Sequence, residues 1–247
     1  MCKNTTFFRI CCKNITIGKS IIMNEVNERR KLLNEKIKII HAQSFYNEEE
    51  LPNLIAVSKQ QKIEKIIQGL ESGQRLFGEN KVQEAEQRWT SLKQKYKKIE
   101  LHLIGHLQTN KVKKAMKLFD SIHTLDRESL AYEISKNMNN NPKTKSLFIQ
   151  VNTGLEEQKS GILPNNLEKF LDLCINQLNL PVIGLMCIPP IDDNPSIHFC
   201  YLNKLLKESK LQKLSMGMSS DYEQAIKFGS NYLRIGTDFF GARENYR

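Results

Sequence analysis

Eight short apolar runs recur along the chain from residue 54 onward, and each of the first seven is followed by a longer amphipathic stretch. The runs are LIAVSK (54–59), RLFGEN (75–80), LHLIGHL (101–107), SIHTLD (121–126), LFIQVN (147–152), VIGLMCIP (182–189), KLSMGM (213–218) and YLRIGTDFFG (232–241). Short apolar runs separated by enough chain for a return helix predict parallel strands in βαβ order. The intervening segments carry the helical period. In KIEKIIQGLESG, Ile63, Ile66, Ile67 and Leu70 share one face and Gly73 ends the helix. In NNLEKFLDLCINQLN, Leu167, Phe170, Leu171 and Cys174 make one stripe, while SDYEQAIKFGS opens on a Ser/Asp cap and closes at Gly229. Eight strands alternating with helices predict an α/β fold, a (β/α)8 barrel rather than an open sheet. The amphipathic segment 24–42 is predicted to be an additional helix before strand one, packed outside the barrel or at one of its mouths.

Composition leaves that picture intact. The chain has 247 residues, 40% hydrophobic and 26% charged, which fits one barrel domain over 23–247. No Pro/Gly/Ser-rich linker divides it, and NMNNNPKTK (137–145) reads as a polar loop. No apolar run approaches the ~20 residues of a membrane-spanning helix, so no membrane partner is expected. Residues 1–22 form an atypical extension: basic, free of acids, and lacking the apolar core and cleavage site of a secretory signal. The helical pattern starts at Met23, which makes Met23 the simplest candidate for the start of translation. The six cysteines show no C-x-x-C spacing, so reduced, mostly buried thiols of a cytoplasmic protein are expected, without a metal site. The formal charge of +10 raises nucleic acid as a partner, but Lys3, Arg9, Lys13 and Lys19 supply +4 of it. The remaining lysines are dispersed on solvated helix faces, and no aromatic stacking series accompanies them.

In barrels of this kind the reactive groups project from the carboxyl ends of the strands. Those tips offer Lys59, then Glu79 and Asn80, His106, Asp126 and Asn152. The seventh and eighth runs end in small residues: Ser215, Gly217 and Ser219, then Gly236 and Thr237. Loops after strands seven and eight commonly hold phosphate, where glycine admits the anion to the backbone and hydroxyls complete its hydrogen bonds. Lys59 stands across the mouth from them. Read on its own it is either a lysine snorkelling from a strand end or a desolvated amine that forms an imine with a phosphorylated aldehyde. Asn80 is equally a helix cap, and His106 equally a hydrogen-bonded strand-end residue.

The blocks AVSK, FGENKVQEA, LHLIGHLQTNKVK, VNTGLEEQKSG, GLMCIPP and LSMGMSSDYEQAIKFGSNYLRIGTDFFGAR occur in that order between residues 51 and 243. In this they resemble the pyridoxal phosphate homeostasis proteins, once labelled proline-synthetase co-transcribed proteins. That family comprises single-domain relatives of alanine racemase and of the barrel-type decarboxylases. The resemblance implies an alanine-racemase N-terminal-domain-like barrel that holds pyridoxal 5′-phosphate as an internal aldimine on Lys59. It implies Arg234 facing the pyridine nitrogen, and a phosphate cradle of Ser215, Gly236 and Thr237 with the Met216 backbone. Asn80 and His106 take matching positions at the mouth. An arginine beside that nitrogen leaves the ring a weaker electron sink than an Asp or Glu partner does. The competing reading is an amino-acid racemase or decarboxylase on the same barrel. Racemisation needs a base on each face of the substrate, and FFGARENYR, with Tyr246, places none. The resemblance therefore implies a carrier or buffer of pyridoxal phosphate rather than an enzyme with robust turnover. It would be a monomer that meets apo-enzymes only transiently.

Overall fold

The computed structural model describes residues 25–46, 50–140 and 142–242. The 1–22 extension and Tyr246 lie outside them. Eight parallel strands close into a barrel in sequence order: β1 (Asn53–Val57), β2 (Leu76–Glu79), β3 (Glu100–Leu103), β4 (Ser121–Leu125), β5 (Ser146–Gln150), β6 (Val182–Met186), β7 (Lys213–Ser215) and β8 (Tyr232–Ile235). Closure comes from β8 pairing with β1, with Ile55 opposite Arg234 and Ala56 opposite Ile235.

The helices are α1 (25–41), α2 (Ile63–Glu71), α3 (Val82–Lys95), α4 (Val112–Leu118), α5 (Glu128–Met138), α6 (Leu167–Asp172), α7 (Pro195–Ser209), α8 (Tyr222–Lys227) and the single turn α9 (Thr237–Phe240). A right-handed crossover places each helix over the groove between its flanking strands. One turn after β8 is too short to cover the β8–β1 seam, and α1 fills it. Val26, Leu33, Ile37 and Ile40 are buried there. Arg30 bonds the Ser72 carbonyl at 2.7 Å beyond α2, and Lys36 pairs with Glu223 of α8 at 2.5 Å. The extra helix thus packs outside the barrel and completes the helical ring.

Alternation along each strand sorts the side chains. Leu54 and Ala56 face the helices and join the main apolar core with Phe77, Trp89, Leu101 and Leu233. Ile55 and Val57 face the axis. The axial layer is unusually polar for such a barrel, where branched aliphatic residues dominate. It contains His102, His123, Ser215 and Arg234, all buried, beside Phe148 and Tyr232. One sequence reading changes. The stripe of α6 continues through a π turn over Leu173–Gln177, which buries Leu173 rather than Leu171. Cys174 and Cys187 are buried, whereas Cys200 is exposed on α7. Among the described residues no helix is long and apolar enough to cross a membrane, and no cluster of His, Cys, Asp and Glu is placed to hold a metal.

Candidate functional site

A cavity of about 280 Å³ opens at the carboxyl ends of the strands, at the small end of the range for small-molecule sites. Its wall brings together Lys59 from the β1 tip, Asn80 from the β2 tip, and Arg234, Gly236 and Thr237 from β8 and its turn. Met218, Ser219 and Ser220 complete the polar side, and Val57, Ile104 and Ile188 supply the apolar walls. Because β8 pairs with β1, Lys59 and the Gly236–Thr237 turn are neighbours around the rim rather than opposed across it.

Local chemistry explains how each group is held. Ser58, the residue before Lys59, is buried, and its amide donates to the Gly78 carbonyl at 3.0 Å. Its hydroxyl donates to Glu79 Oε1 at 2.7 Å. The same carboxylate oxygen accepts from Arg88 Nη1 at 2.6 Å and Trp89 Nε1 at 3.0 Å. The tips of β1 and β2 are therefore tied to α3 directly beneath Lys59. On the far side Gly217, at φ 94°, turns the chain after β7 where a Cβ would lie 2.6 Å from Ala225. Asp221 accepts from the Met218 amide at 2.6 Å. The Ser/Asp cap expected for α8 is therefore not made, because the carboxylate braces the cavity loop instead.

Arg234 is 4% exposed. Its Nη1 donates to Ser215 Oγ at 2.7 Å and its Nη2 to the Cys187 carbonyl at 2.8 Å. Burial lowers its pKa from the usual guanidinium value, only partly offset by Cys187 and Asp221. Arginine nonetheless stays charged. A buried cation whose bonded acceptors are both neutral favours an acceptor or an anion in the space it borders. Asn80 Oδ1, buried on the same wall without a hydrogen-bond partner, is a further polar group awaiting a ligand. One amine, one guanidinium and a loop of hydroxyls and glycine suit a compact ligand that carries an electrophilic carbon, an acceptor and an anionic group.

Two residues expected in the cradle are elsewhere. Ser215 is fully buried, and its hydroxyl lies between Arg234 and His123 Nδ1, 2.8 Å away. Met216 is buried as well, and its amide is committed to the Tyr232 carbonyl at 3.2 Å. The hydroxyls that line the cavity near Gly236 are instead Ser219, Ser220 and Thr237. Ser219 was legible as part of a Gly/Ser loop, whereas Met218 and Ser220 carried no separate signal. His106 is exposed, bonds Asp126 Oδ2 at 3.2 Å, and lines an adjoining depression of about 410 Å³ that shares Asn80 with the cavity.

Comparison with known proteins places this geometry. Residues 40–244 match the alanine racemase N-terminal domain family. A pyridoxal phosphate homeostasis protein of Aquifex aeolicus is 40% identical over 205 residues, which cover 79% of this chain and 89% of that protein. PipY of Synechococcus elongatus, solved without PLP, superposes with a TM-score of 0.77 at 31% identity and covers 88% of this chain and all of PipY. Its PLP-bound structure gives a TM-score of 0.73 at 30% identity, with the same coverage. Alanine racemase from Bartonella henselae shares the fold, with a TM-score of 0.65 at 14% identity, over 90% of this chain and 59% of the racemase. With its closed barrel, its mouth cavity and these relatives, the chain belongs to the alanine racemase N-terminal domain family and, within it, to the pyridoxal phosphate homeostasis proteins.

Proposed function

We propose that this protein binds pyridoxal 5′-phosphate in the mouth cavity and serves cofactor homeostasis as a holder rather than a committed catalyst. The cofactor supplies an aldehyde, a pyridine nitrogen and a phosphate, and the wall has a complement for each. Lys59 would hold the aldehyde end, its amine being the wall's nucleophile. Arg234 would donate toward the pyridine nitrogen, and its permanent charge would disfavour a proton there. Gly236, Thr237, Ser219 and Ser220 receive the phosphate through backbone N–H groups and hydroxyls. Asn80 Oδ1 adds an acceptor at the rim, and His106 stands outside in the adjoining depression.

The observation that carries the binding reading is the convergence of Lys59, Arg234 and the Gly236–Thr237 turn on one cavity wall. Among the described residues, Lys59 is the one side chain there able to take up a proton from a substrate; no carboxylate, imidazole, phenol or thiol joins it. A racemase needs a second such group on the opposite face. The test is a transfer assay from the loaded protein to an apo form of a pyridoxal phosphate enzyme, run beside a turnover screen over D- and L-amino acids. Restored activity of the apo-enzyme without Lys59-dependent amino-acid turnover supports the proposal. Robust turnover that vanishes in Lys59→Ala assigns the protein to the racemases or decarboxylases instead.

A further inference from the structure

Of the polar layer on the barrel axis, Arg234 alone reaches the cavity wall. From there a line of side-chain hydrogen bonds crosses the barrel to its amino-terminal end. Arg234 Nη1 meets Ser215 Oγ at 2.7 Å, Ser215 Oγ meets His123 Nδ1 at 2.8 Å, and His123 Nε2 meets His102 Nδ1 at 2.9 Å. His102 Nε2 then meets Glu100 Oε1 at 2.8 Å, and the Glu100 side chain is 54% exposed at the start of β3. The strands β3, β4, β7 and β8 each contribute a link.

With both rings neutral, the carboxylate end of this line orders the protons in it. A guanidinium only donates and a carboxylate only accepts. Glu100 therefore requires the proton of His102 on Nε2, which leaves Nδ1 of the neutral ring as an acceptor. His123 must then carry its proton on Nε2 and accept on Nδ1. The Ser215 hydroxyl donates to that Nδ1 and turns its lone pairs to Arg234. In this arrangement each donor has one acceptor. Burial, with His102 and Arg234 nearby, holds the His123 pKa well below the usual imidazole value, in keeping with a neutral ring. A proton added to His102 would reverse both bonds of His123 and turn its Nδ1–H toward Ser215. The serine oxygen would then accept from both His123 and Arg234, and its own hydroxyl proton would lose His123 as acceptor.

Aromatic rings enclose the line at His123. His123 stacks on Phe148 with ring centroids 4.2 Å apart, and Tyr232 meets it edge-on at 5.8 Å. In such a low-dielectric setting successive hydrogen bonds polarise one another.

We propose that Glu100, His102, His123 and Ser215 form an axial positioning relay that fixes the Arg234 guanidinium against the ligand from the opposite end of the barrel. Ser215 is a hydroxyl locked as an acceptor, His123 is what locks it, and the Cys187 carbonyl holds the other arm of the fork. None of the four lines the cavity. The relay acts on Arg234 alone, and its ligand end rests on the pyridoxal phosphate reading above.

The test has one arm without cofactor and one with it. In the ¹⁵N-labelled, cofactor-free protein at pH 7, long-range histidine ¹H–¹⁵N correlations should show His123 neutral with its proton on Nε2. A Nδ1–H tautomer or a charged ring at His123 overturns the relay. In the second arm, pyridoxal phosphate is titrated into the wild type, Arg234→Lys, Ser215→Ala and His123→Phe, following affinity and absorbance. Ser215→Ala removes one oxygen, and His123→Phe keeps an aromatic ring against Phe148. Each should weaken binding about tenfold, the scale of one charge-assisted hydrogen bond, and shift the absorbance in the direction that Arg234→Lys does. Arg234→Lys should add little in the Ser215→Ala background. Wild-type spectrum and affinity in Ser215→Ala, with both altered in Arg234→Lys, overturn the relay. Should the wild type take up no cofactor, the functional reading falls, and the tautomers still decide the relay.

Discussion

Glu79→Ala is the substitution whose effect the structure sizes best. Glu79 is fully buried, and its Oε1 accepts from Ser58, Arg88 and Trp89. The Arg88 partner is 18% exposed, so its charge has little water to fall back on. Removing one member of a buried ion pair costs about 3–5 kcal/mol, because the other charge is left uncompensated. The Ser58 and Trp89 donors lose their acceptor at the same time, but these losses overlap with the first, and a total of about 4 kcal/mol is expected. That is a large share of the roughly 5–15 kcal/mol that holds a domain folded. It corresponds to a fall in Tm on the order of 10 °C for a chain of this size. Urea unfolding of the two proteins, with unchanged m-values, measures it. The companion variant Glu79→Met/Arg88→Met removes both charges and should recover more than half of the loss. A loss below about 1 kcal/mol in Glu79→Ala would refute the reasoning, as would a double variant no more stable than the single one. The link to function is Ser58: with its tether to Glu79 gone, the β1 tip that carries Lys59 is less well held, and cofactor affinity should fall with stability.

Three further outcomes follow from the same structure. His123 stays neutral when folded but takes a proton near pH 6.5 when unfolded, so the unfolded state binds more protons below that pH. Wild-type stability should therefore fall as pH drops below about 6.5, by up to about 1.4 kcal/mol per pH unit, and His123→Phe should lose that share of the slope; equal slopes in unfolding at pH 7, 6 and 5 contradict this. Burial pushes the Cys174 and Cys187 thiols up to about 12, so alkylation of the folded protein at pH 8 should label Cys200 and spare both; rapid labelling of Cys187 speaks against the closed wall behind Arg234. Arg234→Glu should retain pyridoxal phosphate with an altered absorbance spectrum, and an unchanged spectrum means that Arg234 does not face the ring.

The eight strands were legible because their helix-facing residues, such as Leu54, Ala56, Leu101 and Leu233, form apolar runs that the alternating helices cover. The rim was legible for a related reason: a lysine, an asparagine or a Gly–Thr pair just past such a run has few structural duties. Ser215 shows where that reasoning stops. The run KLSMGM extends to residue 218, but β7 ends at Ser215, and Gly217 turns the chain there. A serine at a strand end looks the same whether it faces the mouth or the axis, and one residue of register decides between them. His102 and His123 are hidden for the same reason. Each sits in an apolar run, and only barrel closure brings β3, β4, β7 and β8 around one axis. The seam-filling place of α1 likewise depends on the brevity of α9, a tertiary fact without a local pattern.

The central claim is that Lys59 holds pyridoxal phosphate covalently at the β1 tip. Borohydride reduction of the loaded protein, followed by peptide mass spectrometry, tests it most directly. The account predicts bleaching of the visible absorbance and a stable pyridoxyl phosphate adduct on the peptide containing Lys59, absent from Lys59→Ala. An adduct on a different lysine, or tightly bound cofactor that borohydride leaves unattached, would contradict it.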